Sequence, residues 1–186
     1  MRIISGNARG RKLIAPAGED TRPTADRIRE SLFNIMGARV LDAQVLDLFG
    51  GTGAMALEAL SRGAAGGVIV DCAPAAIAAI ERNAQAVLKD ECSRRVQIIR
   101  ADYRSAIGLL SGKKFDLVFL DPPYRMTDAY ADALTRLQAI GALHEASLIV
   151  VERAREQDVP LPKGFEVFDT RHYGKTAVDL VRESAQ

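Results

Sequence analysis

Apolar positions along this chain fall into two alternating rhythms. Short, near-continuous hydrophobic runs occupy residues 45–49, 67–70, 96–101, 115–120 and 147–151. Runs of that kind predict strands buried on both faces, as in a parallel sheet. Between them, residues 54–61, 74–88, 103–110 and 128–140 carry apolar side chains at helical spacing. Alternation of the two predicts an α/β domain, with helices on both faces of a doubly wound sheet. Two last runs, 166–171 and 176–181, flank Tyr173-Gly174 and read as an antiparallel hairpin. At the other end, residues 2–4 and 11–13 can pair as a short hairpin around Gly6-Asn7, and residues 16–23 read as a loop. Thr24 or Asp26 is placed to cap a helix running to about Met36, with Ile28, Leu32, Phe33, Ile35 and Met36 on its apolar side.

The predicted strands share an ending. Asp47, Asp71, Asp102 and Asp121 stand at or just beyond four successive runs, at the sheet edge where ligands bind in open α/β folds. Asp121 opens the tetrad Asp121-Pro122-Pro123-Tyr124. Its carboxylate and the Pro122 carbonyl can each accept a hydrogen bond from a planar exocyclic amine. The prolines bring no competing N–H, and Tyr124 offers a face for stacking a base. A plain strand-ending turn has the same composition. Asp47 precedes Gly50-Gly51-Thr52-Gly53 and the predicted helix 54–61. That strand–glycine–helix unit matches neither G-x-G-x-x-G nor a Walker A loop. An acid before the glycines suits a cationic ligand such as S-adenosyl-L-methionine, although a tight turn without a ligand would look similar. Asp71 lies about twenty residues past the glycines, where a ribose-binding acid is expected. Asp71 and Asp102 also read as ordinary helix caps.

The 186 residues, 48% hydrophobic and 26% charged, fit one domain of an ordinary globular protein. With no span-length apolar run and no apolar segment behind the basic N-terminus, the chain is expected to be cytoplasmic, with no membrane partner and no signal peptide. Cys72, Cys92, His144 and His172 have no metal-site spacing, so no metal is expected. Net charge is only +1, but residues 1–39 hold eight Lys or Arg against four acids, +4, leaving −3 for the remainder. Arg2, Arg9, Arg11 and Lys12 precede any acid. A basic arm on a nearly neutral body is a footprint for nucleic-acid phosphate, or else a solvated tail. The Ile3, Ile4, Leu13 and Ile14 side chains favour an arm that packs.

Taken in order, these motifs resemble the class I S-adenosylmethionine-dependent methyltransferases. The finer resemblance is to the RsmD family of 16S rRNA guanine-N2 methyltransferases. It rests on the opening residues 1–13, on the segment Thr21-Arg22-Pro23-Thr24 running on to Asn34, and on Tyr173-Gly174-Lys175-Thr176, and it covers nearly the whole chain. The glycine loop reads Gly50-Gly51-Thr52-Gly53, where relatives often carry alanine and serine. Where some carry phenylalanine, the tetrad has Tyr124. The resemblance implies a seven-stranded, mostly parallel sheet closed by a C-terminal antiparallel hairpin, in a single monomeric domain. It implies that Gly50, Gly51, Gly53, Asp47, Asp71 and Asp102 hold the cofactor, with Asp102 toward the adenine amine. Asp121, Pro122 and Tyr124 would serve the target amine. Arg2, Arg9, Arg11, Lys12 and Arg22 would contact 16S rRNA, within a small-subunit particle.

Other readings share parts of this pattern. DNA adenine-N6 or cytosine-N4 methyltransferases use the same tetrad but usually add a target-recognition region, for which this chain has no room. Glutamine-N5 methyltransferases carry asparagine at the position of Asp121. A small-molecule methyltransferase has no use for the basic arm. A non-catalytic RNA-binding module has no use for an intact glycine loop with Asp71 and Asp121.

Overall fold

The computed structural model describes residues 1–16, 23–123 and 125–184. Strands β1 (Gln44–Asp47), β2 (Gly66–Asp71), β3 (Val96–Arg100), β4 (Leu117–Leu120) and β5 (Leu148–Ala154) run parallel. With β6 (Phe165–Tyr173) and β7 (Thr176–Glu183) they form one seven-stranded sheet in the order β3-β2-β1-β4-β5-β7-β6. β7 is antiparallel to both β5 and β6, so the hairpin expected at the C-terminus closes the sheet.

Side chains alternate across a strand, and here both faces are covered. Val45, Ile69, Phe119 and Val150 pack beneath α1 (Pro23–Met36), α2 (Ala54–Ser61) and α3 (Pro74–Leu88). Their neighbours Leu46, Val70, Val118 and Val151 pack beneath α5 (Tyr103–Gly108) and α6 (Ala129–Ala139). Double coverage is why these strands read as continuous apolar runs. Three short elements had no periodic signal: 3₁₀ turns at Gly37–Val40 and Lys89–Glu91, and the single-turn α4 (Cys92–Arg95). No helix among the described residues is long and apolar enough to cross a membrane.

The N-terminal third departs from expectation in detail. α1 begins at Pro23, a residue suited to a first helical position. Asp26 therefore lies inside the first turn, where its carboxylate accepts from Arg29 at 2.9 Å instead of capping. Ile35 is exposed, so the apolar stripe reduces to Ile28, Leu32, Phe33 and Met36. Arg2 and Lys12 form one antiparallel bridge, and the turn between them spans residues 5–10, wider than a turn at Gly6-Asn7. Gly6 is used differently: a Cβ there would lie 1.8 Å from the Ser61 carbonyl oxygen. Its missing side chain lets the arm lie flat on the end of α2, where the Asn7 N–H donates to that carbonyl at 2.8 Å.

One carboxylate holds this docking together. Glu58 of α2 is fully buried, and its oxygens accept from the Ile4 N–H at 2.7 Å and the Ser5 N–H at 3.0 Å. Arg62 pairs with it at 2.7 Å and Arg29 of α1 at 3.6 Å. Arg29 also donates to the Arg2 carbonyl. Removing the carboxylate strands two amides and two guanidinium groups. Glu58→Ala is expected to cost about 3–5 kcal/mol, read as a lowered urea midpoint, and to speed amide exchange at Ile4 and Ser5. Wild-type exchange at those amides in the variant would mean that the arm is held by other interactions.

Candidate active site

The winding of the sheet reverses at β1. From β1 the chain crosses through α2 to β2 on one side, and from β4 it crosses through α6 to β5 on the other. Loops leaving β1 and β4 therefore diverge and open a crevice at the carboxyl edge. The crevice is a cleft of about 600 Å³, whose lining includes Asp47, Gly50, Gly51, Phe119, Asp121 and Glu152. Arg29 and Leu32 of α1, Met1 of the arm, and residues 173–176 at the turn between β6 and β7 also line it.

Strand alternation decides which acids can meet. Asp47, Asp71, Asp121 and Glu152 each stand two residues beyond a member of the core under α1–α3, namely Val45, Ile69, Phe119 and Val150. All four therefore belong to that face of the sheet. Leu120 is in register with Val151, so Asp121 and Glu152 are next along on adjacent strands.

The glycine loop is packed from below. A Cβ on Gly50 would meet Ile69 Cγ2 at 2.4 Å, and the Gly50 N–H donates to the Val70 carbonyl at 2.8 Å. Gly51 and Gly53 have positive φ, and Gly53 leads directly into α2. Asp71 ties the loop to β2: its carboxylate accepts from the Gly51 N–H at 2.9 Å and the Ala73 N–H at 2.8 Å. Asn83 of α3 donates to the Thr52 carbonyl at 2.9 Å and exchanges two hydrogen bonds with the backbone of Ile14. The end of the arm and the glycine loop thus share one anchor.

Not every residue expected at the site reaches the cleft. Asp102 caps α5, accepting from the Arg104 N–H at 3.0 Å. Asp102, Asp71, Gly53 and Pro122 are not among the residues that line the cleft. Among the described residues no hydrogen bond takes up the Pro122 carbonyl, whereas the Pro123 carbonyl accepts from the Met126 N–H at 2.7 Å. Arg2, Arg9, Arg11 and Lys12 are exposed on the arm. Tyr124 and Arg22 lie outside the described residues. Among the described residues no group of His, Cys, Asp and Glu could hold a metal ion.

The electrostatics of the cleft are unusual. Asp47 is buried without a cationic partner among the described residues. Desolvation, together with the nearby Asp71 charge, pushes its pKa to about 7, against the pull of the Phe49 and Ala56 N–H groups. Asp121 is held well above the carboxylate range by desolvation and then by the charges of Glu152 and Asp47. Yet Asp121 is exposed to solvent, which relaxes the penalty. A substrate that displaces the water restores it. Desolvation raises Glu152 as well.

Sequence reading overlooked Glu152, Arg29 and Met1. Glu152 carried the signal already used for the others, an acid ending an apolar run. Arg29 and Met1 carried none, because docking of the arm and α1 brings them to the cleft.

This winding, with a glycine loop after β1 and an antiparallel hairpin closing a seven-stranded sheet, is the class I methyltransferase fold. The solved structure of the Escherichia coli protein yhhF superposes at a TM-score of 0.84, with 35% identity over 100% of this chain and 99% of that one. The Escherichia coli (strain K12) protein named "Ribosomal RNA small subunit methyltransferase D" is 35% identical over 100% of this chain and 91% of its own. Bacillus subtilis (strain 168) YlbH is 36% identical over 98% and 99%. The family model described as "Conserved hypothetical protein 95" matches residues 1–182, and the chain belongs to that family, which is the RsmD family.

Asp47 gives a signed pH dependence. Its folded pKa, about 7, lies above the ordinary value of 3.8. The folded state thus binds the extra proton between those values, and stability falls as pH rises from about 4 to about 7. Asp47→Asn cannot ionise. It is expected to be more stable than wild type at pH 8, by up to about 4 kcal/mol, with the gain vanishing below about pH 4. Paired thermal melts at the two pH values check this, and an equal difference at both would remove desolvation of Asp47 as the cause.

Proposed function

We propose that the protein transfers a methyl group from S-adenosyl-L-methionine to the exocyclic N2 amine of a guanine in small-subunit rRNA, presented by an assembling particle. One observation carries the reading: Asp47 beside the glycine loop and Asp121 after β4 line the same cleft. The first is a buried acid without a cation, and the second an acceptor for an amine. Family membership supplies the substrate class, since the Escherichia coli relative is named for the small ribosomal subunit.

The residues present fit the cofactor. Asp47 offers a cationic ligand an unpaired negative charge. Gly50 and Gly51 leave the loop without side chains where the amino-acid end would pass. Both Asp71 oxygens already accept one backbone N–H, and each retains a lone pair for a ribose hydroxyl. Asp102, used once as a cap, retains capacity toward an adenine amine. When bound, the cofactor supplies a methyl activated by a sulfonium.

The protein's own work concerns the nitrogen. The lone pair of a guanine amine is delocalised into the ring, which makes it a weak nucleophile. Asp121 and the Pro122 carbonyl accept hydrogen bonds from its two N–H groups, favour a pyramidal nitrogen and stabilise the positive charge that develops on it; one proton is lost once the methylated nitrogen has become acidic. Holding amine and methyl in line supplies the rest of the rate. Tyr124 is assigned the stacking face for a base extruded from its helix. Residues 1–39 are assigned to RNA contact, with Arg2, Arg9, Arg11, Lys12 and Arg22 on phosphate.

Incubation of the protein with methyl-labelled cofactor and either naked 16S rRNA or small-subunit particles tests the reading. The expected product is N2-methylguanosine at one position, formed faster on particles. Label on another base, or on protein alone, would overturn it. Asp121→Ala is expected to lower turnover about a hundredfold or more while cofactor affinity by calorimetry stays near wild type. Neutralising Arg2, Arg9, Arg11 and Lys12 together is expected to flatten the salt dependence of RNA binding by about 0.7–0.9 log units for each phosphate left without its cation. An unchanged slope would assign the arm to packing alone.

A further inference from the structure

We infer that Glu152 is a specificity-determining residue that accepts the ring N1–H of the target guanine while Asp121 accepts from the amine beside it. The inference rests on the methyl-transfer reading and assigns a second carboxylate to the same base.

Register carries the argument. Leu120 and Val151 are direct partners on parallel strands, so Asp121 and Glu152 follow side by side, on the same face, and both line the cleft. Neighbouring strands lie about 4.7–4.9 Å apart, a spacing that lets two carboxylates flank two adjacent donors. Glu152 is also fixed at the backbone, where its carbonyl accepts from the Tyr130 hydroxyl at 2.8 Å. No cation among the described residues pairs with it or with Asp121. A structural role of the kind Glu58 plays would call for such partners.

The Watson–Crick edge of guanine presents the N1–H directly beside the N2 amine, two donors in a row. Adenine and cytosine present an amine beside a ring nitrogen that carries a lone pair. A single acid can accept from any of these amines. A second acid alongside accepts from guanine but meets a lone pair in the other two, leaving a buried charge without a donor.

The test is a substrate cycle. Small-subunit rRNA is prepared with guanine or 2,6-diaminopurine at the target position. The analogue keeps the 2-amine but has a lone pair at N1. Wild type is expected to prefer guanine by about a hundredfold or more in kcat/KM. Glu152→Gln, whose amide can donate as well as accept, is expected to narrow that preference at least tenfold with cofactor affinity unchanged. Glu152→Asp, which keeps the carboxylate, is expected to retain the preference. The six-position differs between the two bases equally for every protein, so the change in ratio reports Glu152 alone. Equal use of both bases by wild type would overturn the inference, as would an unchanged ratio in an active Glu152→Gln enzyme. Failure of wild type to methylate the guanine substrate would instead overturn the methyl-transfer reading on which it rests.

Discussion

Burial of the Glu58 carboxylate is the constraint on which the rest of this molecule depends. A charge placed fully inside a protein is tolerated only when donors replace the water it loses. Here the donors are the Ile4 and Ser5 amides of the arm and Arg62 at the end of α2, and Arg29 of α1 adds a positive charge at 3.6 Å. Meeting the needs of one side chain therefore fixes the positions of the arm, α1 and α2 relative to one another. Arg62 strengthens the join by lying 4.8 Å over the Phe33 ring of α1. Met1 and the inner side of α1 then become walls of the cleft, which the sheet alone would leave open.

The cleft itself follows the opposite rule. Asp47 is buried as Glu58 is, and desolvation raises Asp121 and Glu152 as well, yet no cation among the described residues answers them. An arrangement that costs stability in the empty protein persists where a ligand completes it. A cationic cofactor would answer Asp47. A base rich in N–H donors would answer Asp121 and Glu152. The two kinds of carboxylate in this fold thus differ in how they are satisfied: Glu58 from within, whereas Asp47, Asp121 and Glu152 have no cationic partner among the described residues. The exposed cations of the arm complete the division, since they sit outside the cleft and within reach of a polyanion.

Much of this was legible along the chain. The β/α alternation, the closing hairpin, the glycine loop after β1 and the tetrad after β4 are local features, written in runs of apolar residues, in glycines and in acids at strand ends. Hydrophobic periodicity reports one segment at a time, and these elements need no more than that. The same locality explains the errors. Asp26 looked like a cap because Pro23, which suits a first helical position, was read instead as the end of the preceding loop. Gly6 does lie in the hairpin's turn, but its second role, contact with the Ser61 carbonyl 55 residues away, could not be read from its neighbours.

What the sequence by itself determined is the class of fold and the acids available at its carboxyl edge. Only the tertiary structure decided which of those acids share a cleft. Asp71 and Asp102 spend hydrogen bonds on the glycine loop and a helix cap, whereas Asp47, Asp121 and the overlooked Glu152 converge. The physical reason is register. Side chains on neighbouring parallel strands meet only when pairing sets them level and on the same face, and pairing is a relation between segments that no single segment carries.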